Sequence, residues 1–301
     1  MGTRRSRSVR KAVRDWEVRA LRAAGALNRL PSPLTAVVEQ RMIRRGFRTL
    51  ASSARQAPGT PSADRLNRIL ETFGGERYLE IGVATGETIE AVGAKRVVGV
   101  DPAHQVNSTR LPGHVRLVAQ PSDDFFDAVL SDPAATSKRF DLIFVDGLHT
   151  FDQSYRDLRN AFGVLHDHGV VVVDDTIPSS RFAALADKRL AKQLRREHGI
   201  ASTDWMGDVY KTVVAVARFH PSLEMVTVED ALHRGQTFIW RRRGPTGAPL
   251  PLEVVTAAEL ATVDALEFDD VFTPGVPELF NRGSLEDAIA ARRRQLPGPP
   301  A

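Results

Sequence analysis

The chain has 301 residues, 42% of them hydrophobic, which is enough for one α/β core with extensions. It contains no cysteine, which excludes disulfides, thiolate metal sites and thiol nucleophiles and suits a reducing cytoplasm, the expected location. The net charge of +4 conceals an asymmetry: residues 1–60 hold 14 Lys/Arg against 3 Asp/Glu, or +11, leaving −7 for the remainder. The pI of about 9.7 thus describes a basic arm on a mildly acidic body, and is no argument that the body binds nucleic acid.

In chain order, Val9, Val13, Trp16, Ala20, Ala23, Leu27 and Leu30 alternate at four-three spacing and predict an amphipathic helix with Arg on its other faces. Pro31 and Pro33 stop it, and residues 34–50 read as a second helix before a Pro/Gly linker. Residues 1–61 are therefore expected to be a helical arm. Its regular stripe favours helix packing or homo-oligomer formation over docking on an anionic membrane surface or on nucleic acid. Arg recurs through this segment, so it has no signal-peptide core, and no apolar run nears the roughly 20 residues needed to span a bilayer.

From Ser62 the pattern becomes rhythmic. A short helix capped by Ser62 and stopped by Gly74-Gly75 precedes the first strand, 78–81. Further strands are expected at 96–100, 115–119, 142–145 and 170–173, with helical spacing between most of them, which predicts a parallel sheet covered on both faces. A helix near 209–219 leads to strands at 223–228 and 236–241, separated by too short a break for a crossover, so these two should be antiparallel. The main domain is bounded at 62–243. Residues 244–301 form a C-terminal extension with short helices expected at 256–265 and 284–295.

Glu80-Ile81-Gly82-Val83-Ala84-Thr85-Gly86 sits between the first strand and a helix, where glycines let the backbone approach a ligand and helix N–H groups face it. A tight turn without a ligand would look similar. Asp101 closes the next strand 19 residues after Gly82, placed to accept ribose hydroxyls. The loop has no G-x-G, and Glu80 would repel a pyrophosphate, favouring a ligand with an ammonium or sulfonium group instead.

With its Glu-x-Gly-x-x-x-Gly loop, the segment 78–241 resembles the class I S-adenosylmethionine (SAM)-dependent methyltransferases. The resemblance implies a Rossmann-like, seven-stranded α/β sheet ending in an antiparallel pair. It also implies that Gly82, Ala84 and Gly86 line the methionine moiety, Asp101 holds the ribose and Ser122-Asp123 approach the adenine, with Glu80 completing the expected cofactor-binding set.

Asp146-Gly147-Leu148-His149 follows the fourth strand and Asp174-Asp175 the fifth, so adjacent parallel strands would bring three carboxylates to one rim. Such a cluster holds a cation or has shifted pKa values, and oxygen ligands favour a hard ion such as Mg²⁺. This half resembles the metal-dependent O-methyltransferases, most closely a bacterial subgroup with Asp-Gly-x-His after strand four. The resemblance implies Asp146, Asp174 and Asp175 as metal ligands, and the expected catalytic residues are Asp146 and His149. Catechol-type relatives often have Asp-Asn where this chain has Asp174-Asp175.

His149 reads either as a surface imidazole or as a general base near neutral pKa. Thr150 with Gln153 reads as a capping box, and Phe151, Tyr155, Leu158, Phe162 and Leu165 as a helix core face. Gly207-Asp208-Val209-Tyr210-Lys211 matches a motif of the same subgroup. Asp208 is expected to cap the following helix, with a substrate-facing role for Asp208 or Lys211 as the other reading. The expected acceptor is a hydroxylated small molecule such as a sugar, a glycosylated natural product or a polyphenol. A nicotinamide-dependent oxidoreductase and a non-catalytic SAM-binding protein are the competing whole-chain readings.

Overall fold

The computed structural model describes residues 62–106, 111–132, 139–229, 234–276 and 278–296. The helical arm expected at 1–61 lies outside them. Among the described residues, the sheet and the helices that cover it belong to one compact unit. Among the described residues, no helix is long and apolar enough to cross a membrane.

The strands are β1 (Arg77–Ile81), β2 (Arg96–Val100), β3 (Val115–Val118), β4 (Phe140–Val145), β5 (Leu165–Val173), β6 (Leu223–Glu229), β7 (Gly235–Arg241) and β8 (Arg282–Gly283). They form one sheet in the order β3-β2-β1-β4-β5-β7-β6-β8. β3 through β5 pair in parallel, and β7 runs antiparallel to both β5 and β6, as the short break between the last two strands requires. The sheet has eight strands where seven are expected. The two-residue β8, from the C-terminal extension, pairs with the free edge of β6 and satisfies backbone groups that an edge leaves open.

Strand periodicity sorts the core into two faces. Tyr78, Leu142, Phe144, Val170, Val172, Phe238 and Trp240 share one face with Leu66, Ile69 and Leu70 of α1 (Ser62–Phe73) and Ile89 of α2 (Glu87–Ala91). Leu79, Ile81, Ile143, Val145, Val171, Val173 and Ile239 share the other with Phe125 and Phe126 of α3 (Ser122–Leu130) and Leu158 and Phe162 of α4 (Phe151–Val164). The four valines of β5 are at most 1% exposed, because helices cover both faces of a central strand. Each such burial is worth about 1.5–3 kcal/mol before the entropy of ordering is subtracted.

The remaining helices are α5 (Lys188–Glu197), α6 (Tyr210–Phe219), α7 (Ala257–Asp264), α8 (Phe268–Phe272) and α9 (Leu285–Arg294). The C-terminal helices begin with capping boxes at Thr256/Glu259 and Ser284/Asp287. They join the same core: Val263, Val271 and Phe280 pack with α4 and α6, and Ala288 and Ile289 pack on the sheet.

Two local expectations about α4 are corrected. Leu165 does not continue the helix face; it is the first residue of β5 and pairs with Phe140. Arg241 takes up the carbonyl of Phe162 at 2.9 Å, which lets the helix end without a loop. Thr150 stands at the N-cap but its side chain caps nothing, and Gln153 turns away toward α3.

At the opposite end of β4, Asp141 accepts the backbone N–H groups of Glu76 and Arg77 at 2.8 and 2.9 Å and lies 2.9 Å from His168 Nε2. Burial pushes its pKa up, but His168 and the two amides outweigh that and hold it at about 2. A depressed carboxylate stabilises the fold above its unfolded pKa near 4 and loses that contribution as pH falls through about 2. Asp141→Asn is therefore expected to lower unfolding free energy by about 2 kcal/mol at pH 7 in urea melts, with the difference from wild type shrinking below pH 3. Equal stability of the two proteins at pH 7 would contradict this.

Candidate active site

Four residues of the predicted site lie on one level because each continues the sheet ladder by one hydrogen bond. Asp101 donates its N–H to Val118, Gly82 to Val100, Asp146 to Ile81 and Asp174 to Val145, at 2.8–3.2 Å. The sheet order reverses between β1 and β4, so their carboxyl ends open the crevice in which ligands of such sheets bind.

Gly82 has φ +87°, and a Cβ there would stand 2.0 Å from the carbonyl oxygen of Asp146. Only glycine allows the two loops to touch. Ala84 adopts φ +45°, an uncommon conformation for a residue with a side chain, and Gly86 (φ +91°) precedes α2. Asp101 braces this backbone: Oδ2 accepts the N–H groups of Val83 and Ala84 at 3.0 and 2.8 Å, and Oδ1 that of Ala103 at 2.7 Å.

Glu80 is 2% exposed and accepts the Tyr78 hydroxyl at 2.6 Å. Burial pushes its pKa up, Tyr78 pulls it down and Asp146 pushes it up again, to about 8. It is thus mostly uncharged at neutral pH, and a cationic group placed beside it would favour its ionised form.

Ser122 and Asp123 open α3 and face α4. Gln153 Nε2 lies 3.1–3.2 Å from Ser122 Oγ, Asp123 Oδ1 and Asp157 Oδ1, three acceptors for two hydrogens. Asp157 is 1% exposed and its Oδ2 has no hydrogen-bond partner.

Beside the glycine loop, Asp146, His149 and Asp175 bring one donor atom each within 4.8 Å of one another. The imidazole lies between the carboxylates, with Nε2 3.2 Å from Asp146 Oδ1 and Nδ1 3.2 Å from Asp175 Oδ2. Nδ1 is nonetheless buried without a hydrogen bond. Asp175 adopts φ +55°, and its N–H donates to Asp174 Oδ1 at 2.9 Å. Asp174 adjoins the trio but is not one of the three converging residues.

Burial raises all three carboxyl pKa values. His149 moderates Asp146, which stands at about 6, and also Asp175, likewise at about 6; Asp175 pushes Asp174 further, to about 7. Burial pulls His149 down, but Asp146, Asp175 and Asp174 together raise it to about 8. Oxygen donors around a buried, unpartnered nitrogen suit a divalent cation, which would relieve the carboxylate repulsion.

The Gly207–Lys211 motif acts from outside this cluster. Asp208 does not cap its own helix: α6 starts after Val209, with no side-chain cap. Asp208 Oδ1 instead accepts the N–H of Phe151 at 2.7 Å and caps α4 across the fold. A Cβ on Gly207 would stand 1.7 Å from the carbonyl oxygen of His149, so glycine is needed for the two loops to meet. Lys211 pairs with Asp208 at 3.2 Å and donates to the Asp264 carbonyl at 2.6 Å. Both side chains are buried and engaged in this brace, which leaves the substrate-facing reading without support. Asp208→Ala should cost about 1–2 kcal/mol of stability, as loss of a helix cap does; an unchanged urea midpoint would refute the cross-fold cap.

Trp205 is a site residue that sequence patterns do not reveal. Its ring stacks on His149 at 5.0 Å and 12°. Nothing in the spacing of Asp146, His149 and Trp205 signals this contact.

The family model described as "Methyltransferase domain" matches residues 79–176. No curated protein sequence matches the chain. Solved structures similar to it include an O-methyltransferase from Bacillus cereus in complex with SAH, at 14% identity and a TM-score of 0.43, covering 74% of this chain and 97% of that one. An O-methyltransferase from Streptomyces achromogenes involved in tomaymycin synthesis, in complex with SAM, is 15% identical with a TM-score of 0.41, covering 67% and 88%. An N-methyltransferase from Bradyrhizobium japonicum is 18% identical with a TM-score of 0.34, covering 65% and 96%. The segment 79–176 that matches the methyltransferase-domain model holds the glycine loop, Asp101, Asp146, His149 and Asp175.

Proposed function

We propose that the chain is a SAM-dependent O-methyltransferase that uses a divalent cation, Mg²⁺ or a similar ion, to act on a hydroxylated small molecule. The observation that carries this reading is the Asp146–His149–Asp175 cluster beside the glycine loop, with Gly82 against the Asp146 carbonyl. When bound, SAM supplies an activated methyl group and the cation lowers the pKa of the acceptor hydroxyl.

The protein's own contribution is alignment, which in favourable cases lowers a barrier by about 7–11 kcal/mol. The Gly82–Gly86 loop and Asp101 would receive the cofactor, and Ser122-Asp123 would approach its adenine. Glu80, buried and uncharged when alone, becomes a counter-ion when a cationic ligand arrives. Asp146 and Asp175 offer the oxygens a hard cation prefers, and Asp174 holds the strained turn at Asp175. That preference leaves His149 to accept the hydroxyl proton, once the carboxylates around it are neutralised and no longer favour its imidazolium form.

The absence of cysteine supports a reducing compartment, the cytoplasm. The acceptor class is proposed as a polyol or polyphenol, because vicinal hydroxyls match a cation held by two carboxylates. The test is methyl transfer from labelled SAM to a panel of sugars, glycosides and catechols, with and without EDTA. Cation-dependent transfer to at least one hydroxyl is expected. Full transfer in EDTA removes the cation, and methylation confined to amines removes the O-methyl assignment.

A further inference from the structure

We infer that Trp205 is a positioning residue for His149, a wedge that sets the imidazole plane between the two carboxylates, and not a platform for the acceptor. The inference rests on the proposed function only in the role it gives His149.

The His149 ring lies parallel to the Trp205 indole, at 5.0 Å and 12°, so the face it covers offers an acceptor ring nothing to stack on. Lys188 Nζ also stands over the indole, 4.8 Å from the ring centroid.

The indole is held through its ring nitrogen, and the chain that follows it is anchored in turn. Its Nε1–H donates to the Leu185 carbonyl at 2.7 Å, and the next residue, Met206, donates its N–H to Ala183 at 2.9 Å. Two residues on, Gly207 touches the backbone of His149, and Asp208 caps the helix that begins just after it. The segment 205–208 thus grips residues 149–151 through a stacked ring, a glycine contact and a helix cap.

His149 needs such a grip. Its Nδ1 has no hydrogen bond, so the usual restraint on a catalytic or metal-site imidazole, a second nitrogen tied to a carbonyl or carboxylate in good geometry, is missing. Stacking supplies the orientation instead: with the ring plane held against Trp205, Nε2 faces Asp146 and Nδ1 faces Asp175, each at 3.2 Å.

The test compares wild type, Trp205→Ala and Trp205→Phe by NMR of the His149 ring protons, with Mn²⁺ and SAH affinities measured by calorimetry. In Trp205→Ala the His149 resonances should lose their ring-current shift and broaden, and Mn²⁺ should bind about tenfold more weakly, the range seen when support behind a metal site is lost. SAH affinity should stay within about twofold, because the wedge does not touch the glycine loop. Trp205→Phe keeps an aromatic face and should restore the His149 resonances and most of the Mn²⁺ affinity, although it lacks the bond to Leu185. Unmoved His149 resonances in Trp205→Ala overturn the inference. So does a parallel loss of SAH affinity in both variants, which would mark a merely structural residue. If wild type itself binds no Mn²⁺, the proposed cation fails, while the resonances still decide the role of Trp205.

Discussion

Asp175→Asn is expected to remove divalent-cation binding and reduce methyl transfer by two to three orders of magnitude, while raising the melting temperature of the cation-free protein. The loss follows from deleting one of the two carboxylates that face each other across His149. Cation assistance supplies several kcal/mol of transition-state stabilisation, and each 1.36 kcal/mol is a factor of ten. Asparagine is the informative replacement because Asp175 sits at φ +55°, a conformation that Asn tolerates and Ala does not.

The gain in stability has the opposite cause. Burial first, and then Asp146, lift the Asp175 pKa to about 6 against His149. A carboxyl group with a raised folded pKa costs stability once pH exceeds its unfolded value near 4, and the cost is complete above about 6. Removing the charge relieves that cost at pH 8. The loss of the contact to His149 offsets part of the gain, leaving about 1–2 kcal/mol, or a few degrees in melting temperature. Mn²⁺ calorimetry and a thermal melt at pH 8 check both halves. Wild-type Mn²⁺ affinity in the variant would sink the site assignment, and a lower melting temperature would show that these carboxylates hold the fold together.

Gly82→Ala should weaken SAM binding at least about a hundredfold and destabilise the domain by about 1–3 kcal/mol, the range for a side chain forced into a conformation reserved for glycine. A methyl group has no room there: its carbon would stand 2.0 Å from the Asp146 carbonyl oxygen, and the backbone is at φ +87°. Either the glycine loop or the start of the β4–α4 loop must move, and the second carries Asp146 with it. Calorimetric titration with SAH, on protein shown folded by its melting curve, reads the effect. A dissociation constant within threefold of wild type would mean that the loop does not form the cofactor cradle.

Much of this architecture was legible in the residues themselves. Parallel strands with alternating helices, the antiparallel final pair and the level of Gly82, Asp101, Asp146 and Asp174 all follow from local patterns: apolar runs, strand-end glycines and loop lengths too short for a crossover. Such patterns act through neighbours in sequence, so they survive reading along a line. The closeness of Asp146 and His149 was legible for the same reason, since three residues separate them at one strand end.

What the line of sequence could not contain is which distant group answers which. Thr150 and Gln153 spell a capping box, yet Asp208, 57 positions beyond Phe151, caps that helix. Asp208 spells the cap of its own helix and serves another. Leu165 keeps the helical period and becomes a strand residue, because pairing with Phe140 competes with one more helical turn. Glu80 looks like an anionic guard, and its charge is decided by burial and the Tyr78 hydroxyl. Sequence alone determined that this chain builds a parallel sheet with an antiparallel final pair and acidic residues at the carboxyl ends of its strands. Only the tertiary structure decided that His149 lies between Asp146 and Asp175 under Trp205, because orientation and protonation depend on long-range packing, which no local spacing encodes.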